Sequence, residues 1–243
     1  MTTAILSALA EEQTGLLQLL QQPSTVVRAG REFHCGLLHS KPVVLALARV
    51  GKVAAATTAT VLIEHFQAQR IVFTGVAGGL ASQVGVGDVV LGSHFLQHDM
   101  DARPLFPRYE VPLYKTAAFH ADNALNAMLS VAVHAQSTCV AASFGYKTQV
   151  HNGLTLSGDQ FIHSAAAAAD LRRRWPEALC VEMEGAAVAQ VCFDYGIAFA
   201  AMRSISDRAD DTAAHDFNAF VQSVAGPYAT RVLSALLANP DLV

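Results

Sequence analysis

The stretch ALCVEMEGAAVAQVC, residues 178–192, decides the fold class because it joins a short apolar segment to a helix pattern. ALCVEME is typical of a buried strand, and the alanine-rich GAAVAQVC is typical of a helix. Glu182 and Glu184 stand two positions apart in this apolar stretch, and extended backbone through Glu184 would place both on the same side. A buried carboxylate without partners is costly or takes up a proton. The stretch therefore predicts a strand that delivers a carboxylate into a cleft, followed by a packed helix.

The same alternation of apolar strands and helices continues on both sides of this stretch, with no repeat, linker or low-complexity tract. The predicted strands are AILSAL, two strands in EFHCGLLHSKPVVLALARV that meet at Ser40–Pro42, RIVFTGVAGGL entering a glycine loop, VGDVVLGSHFL, GLTLSGDQFI and AFAAMRSISD. The predicted helices begin near Ala10, after Gly51–Lys52 and near Asp216, and cover 164–175 and 185–195. This pattern predicts one α/β domain over residues 1–243, with three layers around a mixed, mostly parallel twisted sheet.

Composition narrows the class of protein. The chain has 243 residues, of which 52% are hydrophobic and 15% charged, and its net charge is −4. The low charge excludes disorder and extended coiled coil. Scattered basic residues predict no nucleic-acid partner, and no run approaches the roughly 18 apolar residues of a membrane span. The four cysteines lack metal or disulfide spacing, which fits a reducing compartment. MTTAILSALAEE lacks the basic start of a signal peptide and is too short for one, so we interpret it as a first strand. We therefore expect a cytoplasmic protein.

Familiar ligand motifs do not fit this chain. VFTGVAGG lacks the G-x-G-x-x-G spacing, the glycine that would complete a phosphate loop before Gly51–Lys52 is missing, and no G-x-S-x-G occurs. His94 and His98 lie on a strand that runs into a loop, where a four-residue spacing does not converge on a metal. We expect no metal and no cofactor.

Acids follow three of the predicted strands. Glu12 comes after the first strand, Glu184 ends another and Asp207 ends a third. Taken singly, Glu12 is also consistent with a solvated acid in the first turn of a helix, and Asp207 is also consistent with a helix or turn cap. Ligands of open α/β sheets bind at the carboxyl ends of strands, so together these acids predict a cleft with crowded carboxylates. Crowding drives their pKa values apart and supplies one acid and one base, as glycosyl transfer to water requires.

The order of motifs along the chain resembles one enzyme family. ALAEEQ, VGKVAAA, TGVAGGL, VGDVV, HDMD, SGDQFI, VEMEGAAVAQVC and RSISDRAD together resemble the bacterial 5′-methylthioadenosine/S-adenosylhomocysteine nucleosidases of the purine nucleoside phosphorylase superfamily. The resemblance implies that Glu12 activates the attacking water, Asp207 protonates purine N7 and Glu184 holds the ribose hydroxyls. The remaining substrate-binding residues that it implies are Leu9, Val76, Ala77, Gly78, Phe161 stacking on adenine, Ile162 reading the base edge, Met183 under the sugar, Arg203 near Glu12, and Ser206.

The resemblance also implies a homodimer, in which a partner loop closes the pocket for the 5′-substituent. Here that loop is RPLFPRYEVPLYK, around Leu105, Phe106 and Pro112. Two positions depart from the family pattern: Val76 stands where serine is frequent, and Leu9 where methionine is frequent. We interpret Glu182 as a supporting acid that pairs with Arg203.

Three other functions remain open on this fold. Phosphorolysis is disfavoured because the phosphate-binding turn of phosphorylases is replaced by ALAEEQ, where Glu12 would repel phosphate. Hydrolysis of a nucleoside with a modified 5′-carbon, such as aminodeoxyfutalosine, is kept open by the unusual loop over 100–115. A non-catalytic nucleoside-binding module would not need a base that activates water.

Overall fold

The computed structural model of the protein describes residues 1–144, 148–209, 220 and 224–242. The strands are β1 (Thr3–Ser7), β2 (Gln21–Arg28), β3 (Arg31–Leu38), β4 (Lys41–Leu47), β5 (Arg70–Gly79), β6 (Val89–Gln97), β7 (Ala118–His120), β8 (Val150–Ser157), β9 (Ala178–Glu182) and β10 (Ala198–Asp207). The helices are a 3₁₀ helix (Ala10–Glu12), α1 (Thr14–Leu19), α2 (Lys52–Glu64), α3 (Asn123–Phe144), α4 (Ala165–Arg174), α5 (Gly185–Tyr195) and α6 (Gly226–Ala238).

The strands form one mixed sheet. Its order is β10-β6-β8-β9-β5-β1-β4-β3-β2, with β7 paired to β6. β10 pairs with both β6 and β5, which closes part of the sheet into a ring of paired strands: β5, β10, β6, β8 and β9. The other strands, β1, β4, β3 and β2, extend the sheet from β5. Parallel pairs join β1 to β4 and β5, β5 to β10, and β8 to β6 and β9. The antiparallel pairs are those of the β2–β3–β4 meander together with β5–β9, β6–β10 and β6–β7.

Helices cover the two faces of this sheet. In β1, Ile5 joins the buried cluster that holds the apolar faces of α3 and α6, while Ala4 and Leu6 join the cluster of α2 and α5. In β5, Val72 and Phe73 divide between the same two clusters. This period of two is what a strand buried on both faces requires. The predicted α/β fold with helices on both faces of a mixed sheet is confirmed.

Local sequence signals fix several helix ends. Ser164 precedes α4 and its hydroxyl accepts a hydrogen bond from the amide of Ala167 at 3.2 Å, as an N-cap does. The arginines at 172–174 occupy the last turn of α4, where positive charge complements the helix dipole. α5 ends at Gly196, whose φ of +65° lies in the left-handed region that favours glycine.

Two local predictions need correction, and three elements were missed. β5 continues through Gly79, where a loop was expected, because β9 and β10 flank and pair with this end of the strand. β9 ends at Glu182, and Glu184 has a φ of −134° and a ψ of −36°, so no extended strand aligns the two acids. β2, β7 and α3 were not predicted; β2 is exposed along nearly its whole length and β7 has only three residues, so neither shows the alternation of a buried strand.

The C-terminal helix was expected to begin near Asp216, which lies outside the described residues. The C-terminal helix in the described residues is α6, which buries Val232 and Leu236 against the sheet. None of the helices in the described ranges is long and apolar enough to cross a membrane.

Candidate active site

A cavity of about 480 Å³ opens at the carboxyl ends of several strands. Its walls come from the residues after β1, the end of β5, the segment after β8, the end of β9 and the end of β10. The lining residues are Ala8, Leu9, Val50, Val76, Ala77, Gly78, Gln160, Phe161, Ile162, Val181, Glu182, Met183, Glu184, Ser206 and Asp207. Among these described residues none is arginine, lysine or histidine, so acids provide the only ionisable groups of the wall.

Most of the substrate-binding residues expected from the sequence lie in this wall. The exceptions are Glu12 and Arg203, which lie behind it, and the loop residues Leu105, Phe106 and Pro112, which lie outside it. Leu105 is 83% exposed in the single chain. Sequence reasoning missed Ala8, Val50, Gln160 and Val181, although each one is adjacent to a motif residue that was named.

Glu12 is buried at the end of the 3₁₀ helix, with 1% of its surface exposed. Its Oε2 accepts hydrogen bonds from the amides of Ala8 at 2.9 Å and Leu9 at 3.0 Å. Its Oε1 is buried and has no hydrogen-bond partner among the described residues. Burial raises the pKa of Glu12 to about 7, against the lowering effect of the two amides and of Arg203. Glu12 therefore has one anchored oxygen and one oxygen that can take a proton near neutral pH.

The absence of a side chain at Gly75 leaves room beside Glu12. A Cβ at this position would lie 3.5 Å from Glu12 Oε1 and 3.6 Å from the Arg203 guanidinium carbon. Gly75 lies in β5 between these two groups. Gly75, the first glycine of TGVAGGL, thus brings the backbone of β5 close to Glu12 rather than forming part of a loop.

Glu182, which lines the cavity, forms a buried ion pair with Arg203, which does not line it. The guanidinium Nη2 and Nε of Arg203 donate to Glu182 Oε2 at 2.7 and 3.3 Å. The amide of Gly185 donates to both oxygens of Glu182 at 2.9 and 2.8 Å, and the Ser157 hydroxyl donates to Oε1. The Arg203 guanidinium also lies over the Phe73 ring, 4.1 Å from its centroid. With its oxygens already bound by these donors, Glu182 supports the site, which agrees with the predicted pair.

Glu184 stands at the start of α5 with its carboxyl group against the cavity. Its Oε1 accepts a hydrogen bond from the amide of Gly51 at 2.8 Å. Burial, and then the negative charge of Glu182, raise the pKa of Glu184 well above that of an exposed glutamate. A carboxylate in this position is able to accept hydrogen bonds from hydroxyl groups of a ligand.

Asp207 ends β10 and is buried beside Ser206. The Ser206 hydroxyl donates to Asp207 Oδ2 at 2.7 Å, and the amide of Ala209 donates to Oδ1 at 2.7 Å. Gly78 faces this carboxyl group, and a Cβ at Gly78 would lie only 2.9 Å from Asp207 Oδ1. The close approach explains why this end of β5 carries glycine.

An aromatic ring and aliphatic side chains complete the wall. Phe161 is 44% exposed and stacks on His163 with 6.2 Å between the ring centroids. Ile162 packs against the cluster that contains Leu156 and Val181. With Leu9 and Val76 on other parts of the wall, the cavity suits a flat, partly apolar ligand with polar groups near the acids.

His94 of β6 and His98, which follows β6, do not form a metal site in the described residues. His94 faces His120 on β7, with ring centroids 5.7 Å apart, and His98 is buried beside Trp175. In the described ranges, no group of three or more His, Cys, Asp or Glu residues is arranged to hold a metal ion.

Comparisons with known proteins show which family and which solved structures this chain is similar to. Residues 2–238 match the family model described as the phosphorylase superfamily. The chain is similar to the 5′-methylthioadenosine/S-adenosylhomocysteine nucleosidase of Neisseria meningitidis in complex with methylthio-immucillin-A, at 32% identity over 98% of each chain, with a TM-score of 0.88. It is also similar to the corresponding nucleosidase of Colwellia psychrerythraea 34H in complex with adenine, at 31% identity over 98% of this chain and 94% of that chain, with a TM-score of 0.89.

A third similar structure has a different activity. The chain is 32% identical to the futalosine hydrolase of Helicobacter pylori strain 26695 over 97% of each chain, with a TM-score of 0.86. The comparisons confirm the resemblance that the motifs predicted.

Proposed function

The chain belongs to the phosphorylase superfamily, and we propose that it is a nucleosidase that hydrolyses the N-ribosidic bond of 5′-thio-substituted adenosines. The proposed substrates are 5′-methylthioadenosine and S-adenosylhomocysteine, and the products are adenine and the 5-thioribose. One observation carries the proposal: the buried acids Glu184 and Asp207 line a cavity whose described wall contains no cationic residue, and a third buried acid, Glu12, binds the amides of the wall residues Ala8 and Leu9.

The proposed reaction places a different charge on each part of the substrate. Breaking the bond between C1′ and the purine develops positive charge on the ribose and negative charge on adenine. Glu184 holds the ribose hydroxyls, and its negative charge stabilises the cationic transition state more than the neutral substrate. Phe161 stacks on the purine ring, and Met183 packs under the sugar.

Protons move at two positions in this proposal. Water attacks C1′ and gives a proton to Oε1 of Glu12, the oxygen that has no partner among the described residues. Asp207 donates a proton to purine N7, so that adenine leaves as a neutral base. The Ser206 hydroxyl and the Ala209 amide hold the Asp207 carboxyl group in place.

Phosphate dependence separates this proposal from phosphorolysis. We expect adenine release to be unchanged by added phosphate, with free thioribose as the other product, because a dianion would meet acids without a compensating cation in the cavity. The measurement is product analysis of 5′-methylthioadenosine turnover with and without phosphate. Strict dependence on phosphate, with thioribose 1-phosphate accumulating, would contradict hydrolysis.

Replacing Asp207 by asparagine tests the acid at N7. The amide can still donate a hydrogen bond but has no carboxyl proton to transfer, so we expect kcat to fall about 10²–10⁴-fold with a smaller change in KM. The matched control is Ser206→Ala, which removes the hydroxyl that donates to Asp207 but keeps the acid. A smaller loss in the control is expected, and equal losses would mean that the acid has no special role.

Hydrolysis of aminodeoxyfutalosine is the second candidate. Its support is the similarity to the futalosine hydrolase, which matches the nucleosidases in identity and TM-score. Initial rates on 5′-methylthioadenosine, S-adenosylhomocysteine, aminodeoxyfutalosine and inosine separate the two candidates. We expect the thio-nucleosides to be preferred, because the cavity wall offers aliphatic groups such as Leu9 and Val76.

We also propose a homodimer in which the loop around Leu105, Phe106 and Pro112 covers the partner's cavity. Its support is exposed apolar surface on one chain: Val50 and Val53 near the cavity and Leu105 and Leu113 in the loop are all more than half exposed. Light scattering during size-exclusion chromatography would test the mass of the assembly.

A further inference from the structure

The segment that carries Phe161 has no regular secondary structure to hold it. Residues 158–163, which we name the base segment, follow β8 without helix or strand hydrogen bonding. Gln160, Phe161 and Ile162 of this segment line the cavity. A wall built from irregular backbone needs anchors elsewhere if it is to stack on a purine in a fixed place.

Asp159 supplies such an anchor by binding the start of α2. Its Oδ1 accepts a hydrogen bond from the amide of Lys52 at 2.8 Å. The N-cap residue Gly51 gives α2 no side-chain cap, so the carboxylate of Asp159 satisfies one of the free amides of the first turn. Asp159 thereby caps a helix more than one hundred residues away in the chain.

The neighbouring amide binds the ribose side of the cavity. Gly51 N donates to Glu184 Oε1 at 2.8 Å, while Lys52 N donates to Asp159. Gly51 has a φ of +94°, and a Cβ there would lie 3.1 Å from Asp159 Oδ1. Two successive amides therefore hold a carboxylate of the base segment and the proposed ribose carboxylate.

The side chain of Lys52 closes the connection into a ring. Its Nζ donates to Asp99 Oδ1 at 2.5 Å and to Gln97 Oε1 at 3.2 Å, and the amide of Asp159 donates to Asp99 Oδ2 at 2.9 Å. The side chains of Lys52 and Asp99 are 16% and 26% exposed, so water screens the bond between them less than that of a surface pair, whereas the Asp159 side chain is 51% exposed. Gln97 also donates to Gln190 on α5, the helix that Glu184 begins.

We propose that Lys52, Asp99 and Asp159 are positioning residues that fix the distance between the purine-stacking ring of Phe161 and the ribose carboxylate of Glu184. This inference rests on the proposed function for the identity of the ligand. The hydrogen bonds among Lys52, Asp99 and Asp159 hold the base segment and the Glu184 side of the cavity in place before a ligand binds, so binding does not have to order them.

The test is a double-mutant cycle on adenine binding, measured by calorimetry. We expect Asp159→Ala to weaken adenine binding about tenfold, because the free energy of one charge-assisted hydrogen bond corresponds to roughly a tenfold change in affinity. In a Phe161→Ala background the same change should have little further effect, because Asp159 acts on adenine binding only through the position of the Phe161 side chain. Asp159→Asn keeps an acceptor for the Lys52 amide and should restore part of the affinity.

A merely structural role gives a different pattern. The two substitutions would then be additive in adenine affinity, and affinity would follow the loss of melting temperature; either result overturns the proposal. Asp159→Asn serves as the cycle partner if Asp159→Ala fails to fold. The matched control is Asp170→Ala on α4, which removes another partly exposed aspartate, paired with Arg174, and should leave adenine binding unchanged.

Kinetics separate this proposal from the proposed function. Adenine binding does not require turnover, so coupling in the cycle without hydrolysis of thio-nucleosides contradicts the function alone. Hydrolysis with an additive cycle contradicts the positioning role alone. Wild-type protein that does not bind adenine would overturn both.

Discussion

Replacing Glu12 by glutamine is expected to lower kcat on 5′-methylthioadenosine by about 10²–10⁴-fold and to leave adenine binding largely intact. The amide keeps an acceptor for the Ala8 and Leu9 amides, which now hold Oε2 of Glu12. It removes the oxygen that would accept a proton from water. The measurement is a comparison of single-turnover rate with adenine affinity. Turnover that survives the change would show that another group activates water.

The pH dependence of the wild type provides an independent check. Burial raises the pKa of Glu12 to about 7, and a base must be deprotonated to act. We therefore expect kcat/KM to fall as the pH drops below about 7, with slope one if Glu12 alone controls this limb. A limb near pH 4.5, the value for an exposed glutamate, would contradict the buried base.

Stability serves as the control for loss of activity in Glu12→Gln. The pKa of Glu12 is higher in the folded chain than in the unfolded chain, so this group favours folding most below about pH 4.5 and loses that contribution as the pH rises to about 7. At pH 8 the buried charge opposes folding by roughly 3 kcal/mol. The glutamine variant should then melt at a higher temperature than the wild type at pH 8, but not at pH 5.

The sequence was sufficient to bring two of the acids to one edge of the sheet, although it did not give the ends of β5 and β9 correctly. Strand periodicity and the rule that ligands bind at carboxyl ends placed Glu184 and Asp207 at one edge of the sheet, where both line the cavity. The position of Glu12 behind the wall could not be predicted, because its burial depends on the turn of the 3₁₀ helix, which brings its carboxyl group against the amides of Ala8 and Leu9.

Contacts between distant segments could not be predicted from local patterns. The roles of Glu182 and Glu184 differ because the strand ends between them, which turns one side chain toward Arg203 and the other toward the Gly51 amide. The capping of α2 by Asp159 joins residues far apart in the chain, and no spacing rule connects them. Such contacts follow from the assembled sheet rather than from any single element.

Replacing Glu182 by alanine is expected to destabilise the protein by about 3–5 kcal/mol. Arg203 is 2% exposed, and the change leaves its charge in the interior without its carboxylate partner. It also removes the acceptor for the Gly185 amide at the start of α5. For a chain of this length we expect the melting temperature to fall by roughly 6–20 °C. The control is Asp170→Ala, which breaks a more exposed ion pair and should cost less than about 1 kcal/mol.

Glu182→Gln separates the electrostatic role of this acid from its structural role. Without the charge of Glu182, Arg203 acts more strongly on Glu12, whose pKa it already lowers. The same change removes the repulsion that raises the pKa of Glu184. Both effects have the same sign, so the acid limb of kcat/KM should move to lower pH. The measurement is the pH profile of the folded variant beside that of the wild type. An unchanged limb would mean that the charge of Glu182 does not set the pKa of either acid, and a limb at higher pH would contradict the signs of both effects.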